Sequence, residues 1–81
     1  MELTPRHLYM LAQAAANRNG TASFDRRYEN GLDEVAERAE ALLGAGYLDA
    51  VLPHTSSRDG RIDKVVIQIS DAGREVLAEH G

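Results

Sequence analysis

Apolar positions recur at three- and four-residue spacing in three parts of the chain and alternate with polar ones in two others. The clearest helical stretch is Gly31 to Leu48, GLDEVAERAEALLGAGYL, where Leu32, Val35, Ala36, Ala39, Leu42 and Leu43 fall on one face. Gly44 and Gly46 are placed to stop this helix, and the pattern then turns β-like at Tyr47-Leu48. Upstream, Leu3-Thr4-Pro5 reads as a helix start, with Thr4 as N-cap, Pro5 at the first helical position and Leu3 placed to staple against Leu8. That helix is expected to run to about Arg18, with Asn19-Gly20 closing it. Thr21 to Phe24 predicts a short strand, and Asp25 to Asn30, DRRYEN, a short second helix.

Beyond the central helix, Tyr47–His54 and Ile62–Ser70 predict two strands joined through Asp59-Gly60, read as a type I′ turn. A two-residue turn there sets Arg58 opposite Arg61, His54 opposite Val65, Leu52 opposite Ile67 and Ala50 opposite Ile69. Leu52, Ile67, Ala50 and Ile69 would then share the inner face. Ser70 caps a last helix, DAGREVLAEH, with Ala72, Val76 and Leu77 turned inward.

The 81 residues predict one domain, 1–81, and 43% hydrophobic with 27% charged residues is a globular composition. With no cysteine, disulfides and thiolate metal sites are excluded. No basic segment followed by a long apolar run opens the chain, and the most apolar stretch, Leu8 to Ala16, is too short to span a bilayer. A cytoplasmic location is the expectation. Nine Lys+Arg against thirteen Asp+Glu give a net charge of −4, which works against non-specific binding of polyanions without forbidding a local basic patch.

Catalytic and cofactor chemistry finds little support. His54, Ser56 and Asp59 have the residue types of a hydrolytic triad but sit on one hairpin, without a pocket or an oxyanion hole. His7 and His80 lie near opposite ends of the chain with no metal-ligand spacing, and Gly44-Ala45-Gly46 follows a helix where a phosphate loop would precede one. The expectation is a non-enzyme with no metal and no cofactor.

Two segments carry a resemblance. LLGAGYLDAV (42–51) resembles the exit of the DNA-contacting helix in MarR- and PadR-like regulators, and ISDAGREVL (69–77) is similar to the segment that leaves their wing and opens the next helix. The order helix, strand, short helix, helix, hairpin, helix is that of the winged helix-turn-helix. The resemblance implies an α+β fold, a three-helix core with a two-stranded β-wing and a C-terminal helix. It also implies double-stranded DNA as partner, a transcription-regulatory role and no enzymatic activity.

The residues that would meet DNA are then Arg58 and Arg61 at the wing tip, Lys64 and Thr55 on its flank, Arg26-Arg27 with Arg18 nearby, and Arg38 on the central helix. Facing arginines destabilise a hairpin, and a phosphate or a narrow minor groove between them would relieve that. Asp59 and Asp63 could instead neutralise the tip, and Asp25 and Glu29 cancel Arg26-Arg27. In those regulators the exposed positions of the DNA-contacting helix are polar or basic. Here they are Asp33, Glu34, Glu37, Glu40 and Ala41, with Arg38 the one cation. This leaves a second expectation open, a winged-helix protein-interaction module that docks a partner protein on Asp33, Glu34, Glu37 and Glu40 and does not bind DNA. The first helix adds a third. From Leu8 to Ala16 only Gln13 is polar. With Leu8, Leu11, Ala12 and Ala15 assigned to the core, Tyr9, Met10, Ala14 and Ala16 are left for a homodimer interface.

Overall fold

The computed structural model describes residues 1–25, 31–56, 58 and 60–80. They form α1 (Pro5–Ala15), β1 (Thr21–Asp25), α2 (Leu32–Gly44), β2 (Leu48–Thr55), β3 (Ile62–Ile69) and α3 (Asp71–His80). The three strands make one antiparallel sheet in the order β1-β3-β2. The short helix expected at 25–30 is replaced at its first residue by strand, since Asp25 ends β1. Residues 26–30 lie outside the described residues.

Helix α1 starts where the Thr-Pro pair directs it. Thr4 is the N-cap and the box is reciprocal: the Thr4 hydroxyl accepts from the His7 backbone N–H (3.4 Å), and the Thr4 N–H donates to His7 Nδ1 (3.0 Å). The helix stops at Ala15, short of Arg18, and a turn carries the chain to Gly20. There the Asn17 side chain donates to the Thr21 carbonyl at 2.5 Å and the Asn19 carboxamide oxygen accepts from the Thr21 N–H. These bonds turn the backbone out of the helix before its apolar pattern is exhausted.

Helix α2 ends in a Schellman motif. The Gly46 N–H bonds Leu43 O and the Tyr47 N–H bonds Leu42 O, with Gly46 at φ 86°. Gly46 supplies the left-handed residue, while Gly44 stays inside the helix. The exit runs straight into β2, and the β3–α3 junction is tied to it. The Ser70 hydroxyl donates to the Gly46 carbonyl (2.6 Å) and accepts from the Gly73 N–H (3.0 Å), capping α3. Gly73 rather than Ala72 is the buried residue of α3. A Cβ at Gly73 would overlap the Tyr47 carbonyl and stand 2.8 Å from Ile69 Cγ1, so only glycine lets α3 approach this closely. Ala72 is exposed; Val76 and Leu77 pack partly buried against the core as expected.

The hairpin register differs from the one a two-residue turn dictates. His54 pairs with Lys64, Leu52 with Val66 and Ala50 with Gln68, one residue away from expectation. The ladder closes instead with the Ser56 N–H on Arg61 O (2.7 Å), and the Gly60 N–H returns to Ser56 O (3.0 Å). Asp59, half of the expected turn, lies outside the described residues. One residue of slip exchanges the faces of a strand. Leu52 is therefore 57% exposed, and His54 faces solvent rather than the core. The inner face is kept by an irregularity between Leu48 and Ala50. Leu48 pairs with Ile69 and Val51 with Ile67, and the extra residue, Asp49, is left exposed.

The helices cover one face of the sheet, where Ala22, Phe24, Leu48, Val65, Ile67 and Ile69 meet Leu11, Leu32, Val35, Ala39 and Leu42. Met10 (2% exposed) and Ala14 (0%) belong to the same core, so both are withdrawn from the expected dimer face. Ala12, assigned to the core by its spacing, is exposed. The buried stripe of the helix is therefore Met10, Leu11 and Ala14, rotated from the expected one, on a helix that packs against α3, β1, β3 and α2. Of the four residues expected at an interface, Tyr9 and Ala16 remain on the surface.

Candidate nucleic-acid interface and the surfaces around it

The end of the β2–β3 hairpin gathers most of the described cations that the sequence singles out. Arg58 and Arg61 are exposed at the tip. One step behind them Thr55 pairs with Ile62, and beyond that a row runs across the sheet, Asp25 beside Lys64 beside His54. Arg58 and Arg61 are not the directly facing pair that a two-residue turn would make, since it is Ser56 whose N–H meets the Arg61 carbonyl. The Arg58 N–H is held by the Ser56 hydroxyl at 3.2 Å, which fixes the backbone that presents this side chain. Repulsion between facing arginines therefore falls away as an argument for a bound anion. What remains is two guanidiniums and an ammonium at one end of the hairpin, with the His54 ring on one side of the ammonium and the Asp25 carboxylate on the other. Arg26 and Arg27 lie outside the described residues.

Helix α2 shows the opposite sign. Asp33, Glu34, Glu37 and Glu40 are all exposed, as is Ala41. Asp33 and Glu34 sit in the first turn, where the helix dipole favours a carboxylate. Arg38 is half-buried and turned toward α1, where it lines a hollow of about 320 Å³ with Arg6, Tyr9, Met10, Phe24 and Val35. A second hollow lies on the other side of Arg38, between His7, Glu34 and Glu37. His7 is held below its ordinary value of 6.5, first by burial and then by the charge of Arg38. The neutral ring is also the form whose Nδ1 can accept from the Thr4 N–H.

Sequence reasoning missed Arg6 and the hollow it shares with Arg38. Arg6, Tyr9 and Met10 have i, i+3, i+4 spacing and Val35 and Arg38 have i, i+3 spacing, so each half was legible as a helix face. Their convergence depends on how α1 and α2 pack.

Among the described residues no group of three His, Asp or Glu side chains is placed to hold a metal ion, and no helix is long and apolar enough to cross a membrane. His54 and Ser56, two members of the triad considered above, lie on the solvent side of the hairpin and at its loop. No protein-family model, no curated protein and no solved structure matches the chain, so the reading of this surface rests on its own geometry.

Proposed function

We propose that this chain is a winged-helix protein of regulatory type that binds duplex DNA through the end of its β2–β3 hairpin. The observation that carries the reading is the exposed pair Arg58 and Arg61 at the tip, with Lys64 and Thr55 behind them. A hairpin end bearing cations can follow a phosphate backbone or enter a minor groove, where negative potential is strongest. The described order of helix, strand, helix, hairpin and helix is compatible with a winged helix whose short second helix would fall at 26–30, outside the described residues. The carboxylates of α2 argue against reading bases in the major groove with that helix, because they would meet phosphates at close range.

Salt dependence tests this directly. Binding of a fluorescent mixed-sequence duplex, followed by anisotropy, is expected to weaken with log salt at a slope of about −2 to −4, the value for two to four neutralised phosphates. Arg58→Ala/Arg61→Ala should make the slope shallower by about 1 to 2. Failure of the wild-type chain to bind at low salt overturns the reading. That result would favour the second one, a module that docks a basic partner protein on Asp33, Glu34, Glu37 and Glu40. The observation behind this alternative is the simultaneous exposure of those four carboxylates on α2.

A further inference from the structure

The hollow between α1 and α2 is distinct from the hairpin end and is built differently. Its floor is apolar and buried: Met10, Phe24 and Val35 are each no more than 5% exposed. Its rim carries Arg6, Arg38 and Tyr9, the last 51% exposed with its ring tilted at 56° to Phe24, centroids 6.5 Å apart. An exposed tyrosine with two arginines around an apolar floor has the composition of a protein-binding hot spot, in which Tyr and Arg are the enriched residues. Neither guanidinium makes an ion pair with a described residue. In a chain of net charge −4, this is one of the few places where a carboxylate would be drawn in.

We propose that this hollow docks an acidic peptide segment of a partner protein, one large apolar side chain entering between Met10, Phe24 and Val35 while flanking carboxylates meet Arg6 and Arg38. Guanidinium–carboxylate pairs are charge-assisted and directional, so they set the register while the apolar side chain supplies buried area. A volume of about 320 Å³ accommodates one such side chain and stands near the lower limit of small-molecule pockets, which run from about 300 to 1,000 Å³. A nucleic-acid backbone suits the site less well. It offers no apolar group for the floor of Met10, Phe24 and Val35.

The test uses the full chain, with the methyl resonances of Met10 and Val35 as reporters. The probe is a capped peptide of one phenylalanine flanked on each side by two glutamates. It is expected to move both methyls saturably. Replacing its phenylalanine by alanine, or its glutamates by glutamines, is expected to weaken binding at least about tenfold. Arg6→Glu should cost a similar factor; Arg6 is exposed, so this variant leaves the core intact. Arg58→Ala/Arg61→Ala should leave peptide binding unchanged, which separates this site from the hairpin. Methyls that do not move, or that respond to the alanine or the glutamine peptide as strongly as to the parent peptide, overturn the proposal. So does phenylacetate binding as tightly as the peptide, which marks a small-carboxylate site, or a short DNA duplex displacing the peptide, which marks a nucleic-acid site.

Discussion

A histidine at the third position of α1 gives the fold a titratable cap. In the usual box a glutamate or glutamine reaches back to the N-cap N–H, and here His7 Nδ1 takes that bond. Protonation would turn the acceptor into a donor and place a cation beside Arg38 and at the positive end of a helix dipole. Burial and Arg38 hold the folded pKa below 6.5, so the fold prefers the neutral ring. The sign follows from linkage: between the folded and unfolded values the unfolded chain binds more protons. The contribution of His7 is thus fully present above about pH 6.5 and is lost as pH falls through the lower, folded value. Thr4 still caps the His7 N–H, so only the exposed reciprocal bond is at stake; its loss lies at the low end of capping energies, about 0.5 kcal/mol, or a few degrees in Tm for a domain of this size. The expected outcome is that wild-type Tm drops more between pH 7 and 5 than that of His7→Gln. The glutamine variant keeps the box but does not titrate, and the carboxylates common to both chains cancel in the comparison. Parallel melting profiles would show that the ring nitrogen contributes no cap.

At the scale of elements, capping and turn residues were the legible part and register was not. The caps at Thr4-Pro5, Ser70 and Gly46 are made by bonds spanning three to five positions, and the sequence states those bonds locally. The hairpin register depends on how many residues the loop holds and on the irregularity at Asp49, and neither leaves a mark in an alternating pattern. A two-residue Asp-Gly turn misplaces the pairings of Ala50 to His54 by one residue and those of Leu48 and Thr55 by two. In α1 the apolar residues run nearly all the way round, so the pattern does not say which stripe is buried; tertiary packing buries Met10, Leu11 and Ala14. The candidate sites divide in the same way. The hairpin cations could be read from local sequence, whereas the hollow of Arg6 and Arg38 arises from contact between two helices. The register has a direct check by urea unfolding. Leu52, opposite Val66 on the open face, should tolerate Leu52→Thr within about 0.5 kcal/mol. Ile67→Ala, on the inner face, should cost about 2–5 kcal/mol. A comparable cost at Leu52 would place it against the core and restore the register in which Arg58 faces Arg61.

On the whole molecule, the hairpin cations and the run of carboxylates on α2 lie on separate elements, although Asp63 adjoins Lys64 and Arg38 lies on α2, so net charge alone is a poor guide to what the surface attracts. Arg58, Arg61 and Lys64 lie on the hairpin, while Asp33, Glu34, Glu37 and Glu40 lie on α2. At about 0.1 M salt the screening length is about 10 Å. The carboxylates therefore weigh on DNA binding only if α2 comes within roughly that distance of the duplex when the hairpin is engaged. If, as the proposed winged-helix arrangement implies, α2 and the hairpin approach DNA from the same side, the acidic helix would restrain the affinity that the hairpin supplies. Glu37→Lys/Glu40→Lys exchanges two exposed carboxylates for two ammonium groups without touching a buried residue. If α2 faces the duplex, the variant should bind more tightly than wild type at every salt concentration. Its log K should also fall more steeply with log salt, by up to about 1.8 if both lysines reach phosphates. Adding Arg58→Ala/Arg61→Ala to that background should reduce the gain, since the hairpin holds α2 in place. An affinity and slope unchanged by the reversal would mean that α2 points away from the bound DNA. The hairpin would then act as an isolated basic ribbon, and the acidic face would be left open to a protein partner while DNA is bound.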